Sequence, residues 1–273
     1  MSIDTTEIKL SIIGKPNSGK STLFNCFFGK EISPVGNEYG LTKNLFRDKF
    51  KFKNKQFVIV DTPGLRRRTK VIEKNEKKRN SEVIKLIENV DIIILLIDSL
   101  ENISKQDFRL ADLALNKNKI LFFLFNKIDV VEDFKKFKSK TRNFLKENYN
   151  KYKLINFEFI SAKKNLRVNK VLEEIIIKKK LSETRIKKQK FNSFISYLNK
   201  KGTYPRVNNI DIKPKYIVQI SGELPKFKVF INSKKRTPQI FQKYFDNNFR
   251  EYFKLIGVPI IYEFKSSKNP YAS

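Results

Sequence analysis

Apolar residues recur along this chain in two rhythms, and the change from one to the other marks out its elements. Residues 8–13, 57–60, 90–97 and 120–125 are nearly unbroken apolar runs. They are too short for long helices and continuous enough to be covered on both faces, as parallel strands are. Residues 46–53 alternate apolar with basic side chains, the pattern of a half-exposed strand, and 157–160 predict one more short strand. Between the runs the spacing shifts to three and four. Leu23, Phe24, Phe27 and Phe28 share one helical face, as do Val83, Ile84 and Ile87, and residues 168–177 read as an amphipathic helix. Ser104 and Asp107 are spaced to cap a further helix, with Asp in place of the usual Glu. Residues 29–44 are polar and show no periodicity. Alternating strands and helices predict a doubly wound, mostly parallel α/β sheet over residues 1–180, with ligands taken at the carboxyl ends of the strands.

Residues 181–273 predict a smaller α+β domain in the order α-β-β-α-β. A charged segment from Leu181 opens a helix running to Leu198, and 211–220 and 226–231 predict strands. Pro238 opens a long helix with Ile240, Phe241, Tyr244, Phe245, Phe249, Tyr252 and Phe253 at helical spacing, and 260–264 predict the last strand. The rings on the long helix read as core rather than as platforms for bases.

Four short motifs punctuate the first domain, each after a predicted strand or at the start of a helix. Gly14-Lys15-Pro16-Asn17-Ser18-Gly19-Lys20-Ser21-Thr22 has the form G-x-x-x-x-G-K-S of a phosphate-binding loop. Its backbone N–H groups face a polyphosphate, Lys20 reaches the β- and γ-phosphates, and the Ser21 hydroxyl ligates Mg²⁺. Asp61-Thr62-Pro63-Gly64 places a carboxylate for Mg²⁺ beside a glycine whose N–H meets the γ-phosphate. Asn126-Lys127-Ile128-Asp129 selects the base, because an Asp carboxylate accepts from the N1–H and N2–H₂ of guanine. Adenine lacks that donor pair and would leave the carboxylate unpaired, a mismatch of several kcal/mol. Ser161-Ala162-Lys163 adds a main-chain N–H for the guanine O6. The set resembles the translation-factor-related GTPases.

Composition narrows the picture further. Histidine is absent and Cys26 is the sole cysteine, so disulfides, thiolate zinc sites and a histidine base are excluded. No apolar run nears the roughly 18 residues of a membrane span, and the polar N-terminus is unlike a secretory signal, so a cytoplasmic protein is expected. Lys and Arg number 58 against 28 Asp and Glu, a net +30 that points to a polyanion, nucleic acid first.

Asp61 to Val71, the stretch Ile97-Asp-Ser-Leu-Glu-Asn-Ile-Ser-Lys-Gln-Asp107, Lys213 to Tyr216, Phe230 to Asn232 and Gly257 to Ile260 are similar to the Der (EngA) ribosome-assembly GTPases. The resemblance covers the second G domain of that family and its C-terminal KH-like domain, from about Ile8 to Tyr271; the family's first G domain has no counterpart here. It implies a GTPase that acts in large ribosomal subunit biogenesis through rRNA and the pre-ribosome. It also implies Thr42 as a second Mg²⁺ ligand, and Asn17 as a residue that helps hold K⁺ between phosphates. Lys20, Thr42 and Gly64 are the expected catalytic groups. The family's first switch reads Pro-Gly-x-Thr-Arg-Asp, whereas this chain has Tyr39-Gly-Leu-Thr42-Lys43-Asn44, and Leu65 stands where Ras-like enzymes place a glutamine. Residues 181–273 contain no G-x-x-G loop, the backbone clamp of RNA-binding KH domains, so Lys234 to Arg236 and Arg185 to Lys190 are the expected RNA contacts. Two alternatives stay open: an Era-like GTPase of small-subunit maturation, and a scaffold that binds GTP or rRNA without turnover.

Overall fold

The computed structural model describes residues 7–29, 34–39, 46–61, 83–149, 151–207, 209–220, 222, 224–233 and 237–266, with the backbone alone at 34–39, 46, 61 and 207. The chain divides into two compact units, Met1–Lys179 and Lys180–Ser273.

The first unit is built on a seven-stranded sheet: β1 (Ile8–Ile13), β2 (Pro34–Tyr39), β3 (Phe46–Phe52), β4 (Lys55–Asp61), β5 (Ile92–Asp98), β6 (Ile120–Asn126) and β7 (Ile155–Phe159). Its order is β2-β3-β4-β1-β5-β6-β7, parallel from β4 to β7 and antiparallel where β3 pairs β4 and β2 pairs β3. The helices are α1 (Lys20–Phe27), α2 (residues 83–88), α3 (Lys105–Asn116), α4 (Phe134–Asn148) and α5 (Val168–Ser182).

Side-chain alternation splits the apolar runs between two cores. Ile92, Ile94 and Leu96 of β5 and Ile120, Phe122 and Leu124 of β6 pack with Leu23 and Phe27 of α1 and Val171, Leu172 and Ile175 of α5. Ile93, Leu95 and Ile97, with Leu121, Phe123 and Phe125, face α2, α3 and α4 on the other side. Each such side chain, once buried, contributes about 1.5–3 kcal/mol. Both faces are covered, which is why these strands read as continuous runs. Lys53 and Asn54 close the β3–β4 hairpin with φ of 46° and 61°, the left-handed pair of a tight two-residue turn. Ser104 caps α3 as the spacing predicts: its Oγ accepts from the Asp107 N–H, and the Asp107 carboxylate accepts from the Ser104 N–H at 2.8 Å.

The second unit holds α6 (Lys188–Lys201), a two-stranded ribbon of β8 (Arg206–Val207) and β9 (Ile210–Asp211), then β10 (Pro214–Ile220), β11 (Lys226–Ile231), α7 (Gln239–Phe253) and β12 (Ile261–Ser266). Its sheet has the order β10-β11-β12, antiparallel then parallel. Phe241, Phe245 and Phe249 of α7 lie fully buried against Phe191 and Phe194 of α6 and Phe227 of β11, so these rings are core, whereas Tyr252 and Ile240 of the same helix are exposed.

Residues 34–39, within the polar stretch that shows no periodicity, form the edge strand β2, which needs one partner and so carries little apolar pattern. Two expectations change. The helix expected from Leu181 to Leu198 is two helices. The Gln219 side chain accepts from the Ile186 N–H and donates to the Thr184 carbonyl, holding the intervening chain out of helix. The strand expected over 211–220 breaks between β9 and β10. Pro214 has no N–H, and Asn232 takes the flanking groups by accepting from the Lys213 N–H and donating to the Asp211 carbonyl.

Candidate nucleotide-binding site

The carboxyl ends of β1, β5 and β6 meet at one edge of the sheet, and the motif residues gather there. The phosphate loop leaves β1 at Gly14, whose φ is +147°; a Cβ at that position would lie 2.3 Å from the Leu96 carbonyl oxygen. Gly19 has φ +97° and equally little room, since a Cβ would meet Asn126 Nδ2 at 2.3 Å. Asn17 takes φ +62°, which asparagine tolerates. Gly19 is also the N-cap of α1 and offers no side-chain cap, so the first N–H groups of the helix point outward for an anion. Ser18 is buried and its Oγ donates to the Lys15 carbonyl at 3.0 Å; Lys20 Nζ donates to the same oxygen at 2.6 Å. Pro16, Asn17, Ser21 and Thr22 are exposed. The Lys15 ammonium lies 3.4 Å from Glu101 and 3.6 Å from Asp107, which ties the loop to the cap of α3.

Asn126 sits at the end of β6 and bridges two loops. Its Nδ2 donates to the Ser18 carbonyl and its Oδ1 accepts from the Ala162 N–H, both at 2.9 Å. One buried amide thus joins the phosphate loop to the Ser161–Lys163 loop. Lys127, at φ +67°, sends its ammonium to Asp98 Oδ2 at 2.5 Å, and Asp98 Oδ1 accepts from the Leu100 N–H. Asp129 lies in a single 3₁₀ turn, Ile128–Val130. Its Oδ1 is buried and receives no hydrogen bond among the described residues. A hydrogen bond from Ser161 holds the Asp129 carboxyl below the usual range, helped by the nearby ammonium groups of Lys164 and Lys163. Ser161 is itself fully buried, its backbone bridged to Leu166 and its Oγ accepting from the Lys164 N–H. Lys163 is exposed at the rim.

Residues 9–127 match the family described as 50S ribosome-binding GTPase, and residues 185–265 match the KH-domain-like C-terminal domain of EngA bacterial GTPase enzymes. Over these two stretches the chain is similar to the Der-type GTPases. The protein named GTPase Der of Hyphomonas neptunium is 31% identical over 268 residues, which are 97% of this chain and 52% of that protein. GTPase Der of Finegoldia magna is 33% identical over 261 residues, covering 94% and 59%. This chain spans about half the length of the curated relatives it matches. Era of Aquifex aeolicus, solved with GDP and AlF4-, superimposes with a TM-score of 0.47 at 18% identity over 95% of this chain and 93% of that one.

In this Der-like chain the structure brings together the phosphate loop, Asn126, Lys127, Asp129 and Ser161 to Lys163. Asp61 ends β4 one strand away from the loop, its backbone in register with Phe46. Thr42, Thr62, Pro63 and Gly64 lie outside the described residues, as do Leu65 and the Arg66 to Arg68 run. Sequence reasoning missed Asp98 as the partner of Lys127, and Glu101 and Asp107 as partners of Lys15. The available signal was a carboxylate at the end of a continuous apolar strand, where strand ends in this fold face the ligand.

Proposed function

We propose that this chain binds GTP with Mg²⁺, hydrolyses it to GDP and phosphate, and acts on the large ribosomal subunit precursor through rRNA. The observation that carries the guanine reading is Asp129: a buried carboxylate oxygen with no described donor, kept ionised, at the mouth of the Ser161–Lys163 loop. The adjacent N1–H and N2–H₂ donors of guanine would satisfy the carboxylate, whereas adenine offers no such donor pair. The two glycines, each with no space for a Cβ, support close approach of a polyphosphate to the loop backbone. Lys20 has to exchange the Lys15 carbonyl for the phosphates.

Hydroxyl and carboxylate oxygens are hard donors that fit Mg²⁺, and Ser21, exposed at the first turn of α1, would hold it with Asp61 and Thr42. Bound there, Mg²⁺ neutralises phosphate charge. Lys20 and the loop N–H groups would stabilise the oxygens of the transferred phosphoryl group, and the Gly64 N–H would meet its γ end. Leu65 cannot orient water, so hydrolysis on this reading is slow and rests on positioning and on charge. Asn17 is the residue through which K⁺ would add to that charge. The large-subunit assignment is supported by the match of residues 9–127 to a family described as 50S ribosome-binding, and the rRNA partner by the net charge of +30.

Hydrolysis of GTP and ATP in K⁺ and Na⁺ buffers, with and without ribosomal particles, tests these points separately. GTP turnover that rises with 50S particles and with K⁺ is the expected result. Absence of turnover under every condition leaves a binding scaffold, equal rates in both salts remove the role of Asn17, and stimulation by 30S particles alone favours the Era-like alternative.

A further inference from the structure

The three-stranded sheet of the second unit has one face in the core and one outside it. Burial alternates strictly along β11: Phe227, Val229 and Ile231 are buried, while Lys226, Lys228 and Phe230 between them are partly exposed. Strand register extends this outer face into three cross-strand rows: Tyr216–Phe230–Lys265, Val218–Lys228–Glu263 and Ile220–Lys226–Ile261. Tyr216, Val218, Ile220, Phe230 and Ile261 take no part in the packed core beneath, which uses Ile217, Tyr262 and Phe264 instead. The rings of Tyr216 and Phe230 adjoin, 6.1 Å between centroids, and the Lys188 ammonium stands 5.5 Å above the Tyr216 ring. Glu263 is the one acid in these rows, and Lys226 neutralises it at 2.5 Å, leaving the face with a net positive charge from Lys228, Lys265 and Lys188.

Protein partners favour surfaces poor in lysine at their centre. Neighbouring rings set among lysines suit single-stranded nucleic acid, whose bases stack on the rings while the phosphates meet the ammonium groups. We propose that this outer face is a platform for single-stranded RNA: Tyr216 and Phe230 carry bases, and Lys188, Lys228 and Lys265 hold the phosphates that flank them. The proposal rests on the rRNA partnership put forward above and gives it a location other than Lys234 to Arg236. It needs no G-x-x-G loop, because the backbone is held by side chains on a sheet.

Fluorescence anisotropy with the full chain and a short labelled single-stranded RNA of mixed sequence tests it, with duplex RNA of the same length as comparator. Tyr216→Leu with Phe230→Leu keeps apolar bulk and removes the stacking surface; binding of the single strand should weaken about tenfold or more, with little change in salt dependence. Lys228→Gln with Lys265→Gln should lower the slope of log affinity against log salt by about 1.4, ~0.7 for each lysine. Thermal midpoints and GTP affinity should match those of the unsubstituted chain in all variants. A leucine variant that binds the single strand as tightly as the unsubstituted chain overturns the platform. So does loss of binding to ribosomal particles with naked RNA binding intact, which would put a protein on this face. If the unsubstituted chain binds neither RNA nor ribosomal particles, the rRNA partnership fails as well; if it binds both and the variants do too, only the location fails.

Discussion

Asp98 and Asn126 tie the loops of the candidate site together through side-chain hydrogen bonds. Asp98→Asn keeps an oxygen for the Leu100 N–H and removes the charge that holds the Lys127 ammonium. GTP affinity should fall about five- to tenfold, a loss near 1 kcal/mol, with the unfolding midpoint almost unchanged; titration calorimetry beside thermal denaturation separates the two. Gly19→Ala is harsher. Its methyl would press on Asn126 Nδ2 at a φ that L-residues avoid, so nucleotide binding should drop more than about tenfold and stability by about 1–3 kcal/mol. Asp129→Asn should turn base preference from guanine toward xanthine, read by competition between GTP and XTP. For pH the sign follows from the depressed pKa of Asp129. A lowered pKa means that the ionised carboxylate persists as pH falls through the range where an ordinary Asp takes up its proton. Guanine affinity should therefore hold there and fall only as pH drops through the depressed value, while Asp129→Asn should show no such fall.

At the scale of elements, local spacing carried most of the information. The phosphate loop, the Ser104 cap and the buried strands were readable because the residues that make them are neighbours in sequence. The breaks were not. The gap between α5 and α6 depends on Gln219, more than thirty positions from Ile186, and β2 depends on a single antiparallel partner. Asn126 was readable as part of a base motif but not as a strut, since its contact with Ser18 spans 108 positions. Two element-level changes test the energetics. Ser104→Ala removes one half of a reciprocal cap and should cost about 1 kcal/mol by urea denaturation. Arg250 of α7 is buried, pairs with Asp246 at 2.7 Å, and donates to the carbonyls of Leu255 and Val258, fixing the turn into β12. Arg250→Met should destabilise the second unit by about 3 kcal/mol, because a carboxylate and two carbonyls lose their donor together.

At the scale of the whole molecule, two units of different construction share one chain and one sign of charge. The sheet of the first ends its central strands β5 and β6 in Asp98 and Asn126; the sheet of the second spreads rings and lysines across an outer face. That difference suits a compact nucleotide in one unit and an extended polymer in the other. Within the first unit, the Asn126 amide gives the Ala162 N–H an unusual use. That hydrogen is held by a side chain whose other end grips Ser18, so its exchange with deuterium reports on a loop in which it does not lie. Loosening of the phosphate loop should appear as faster labelling at Ala162, and tightening by GTP as slower labelling. A single amide signal would then follow nucleotide occupancy without any probe attached to the nucleotide.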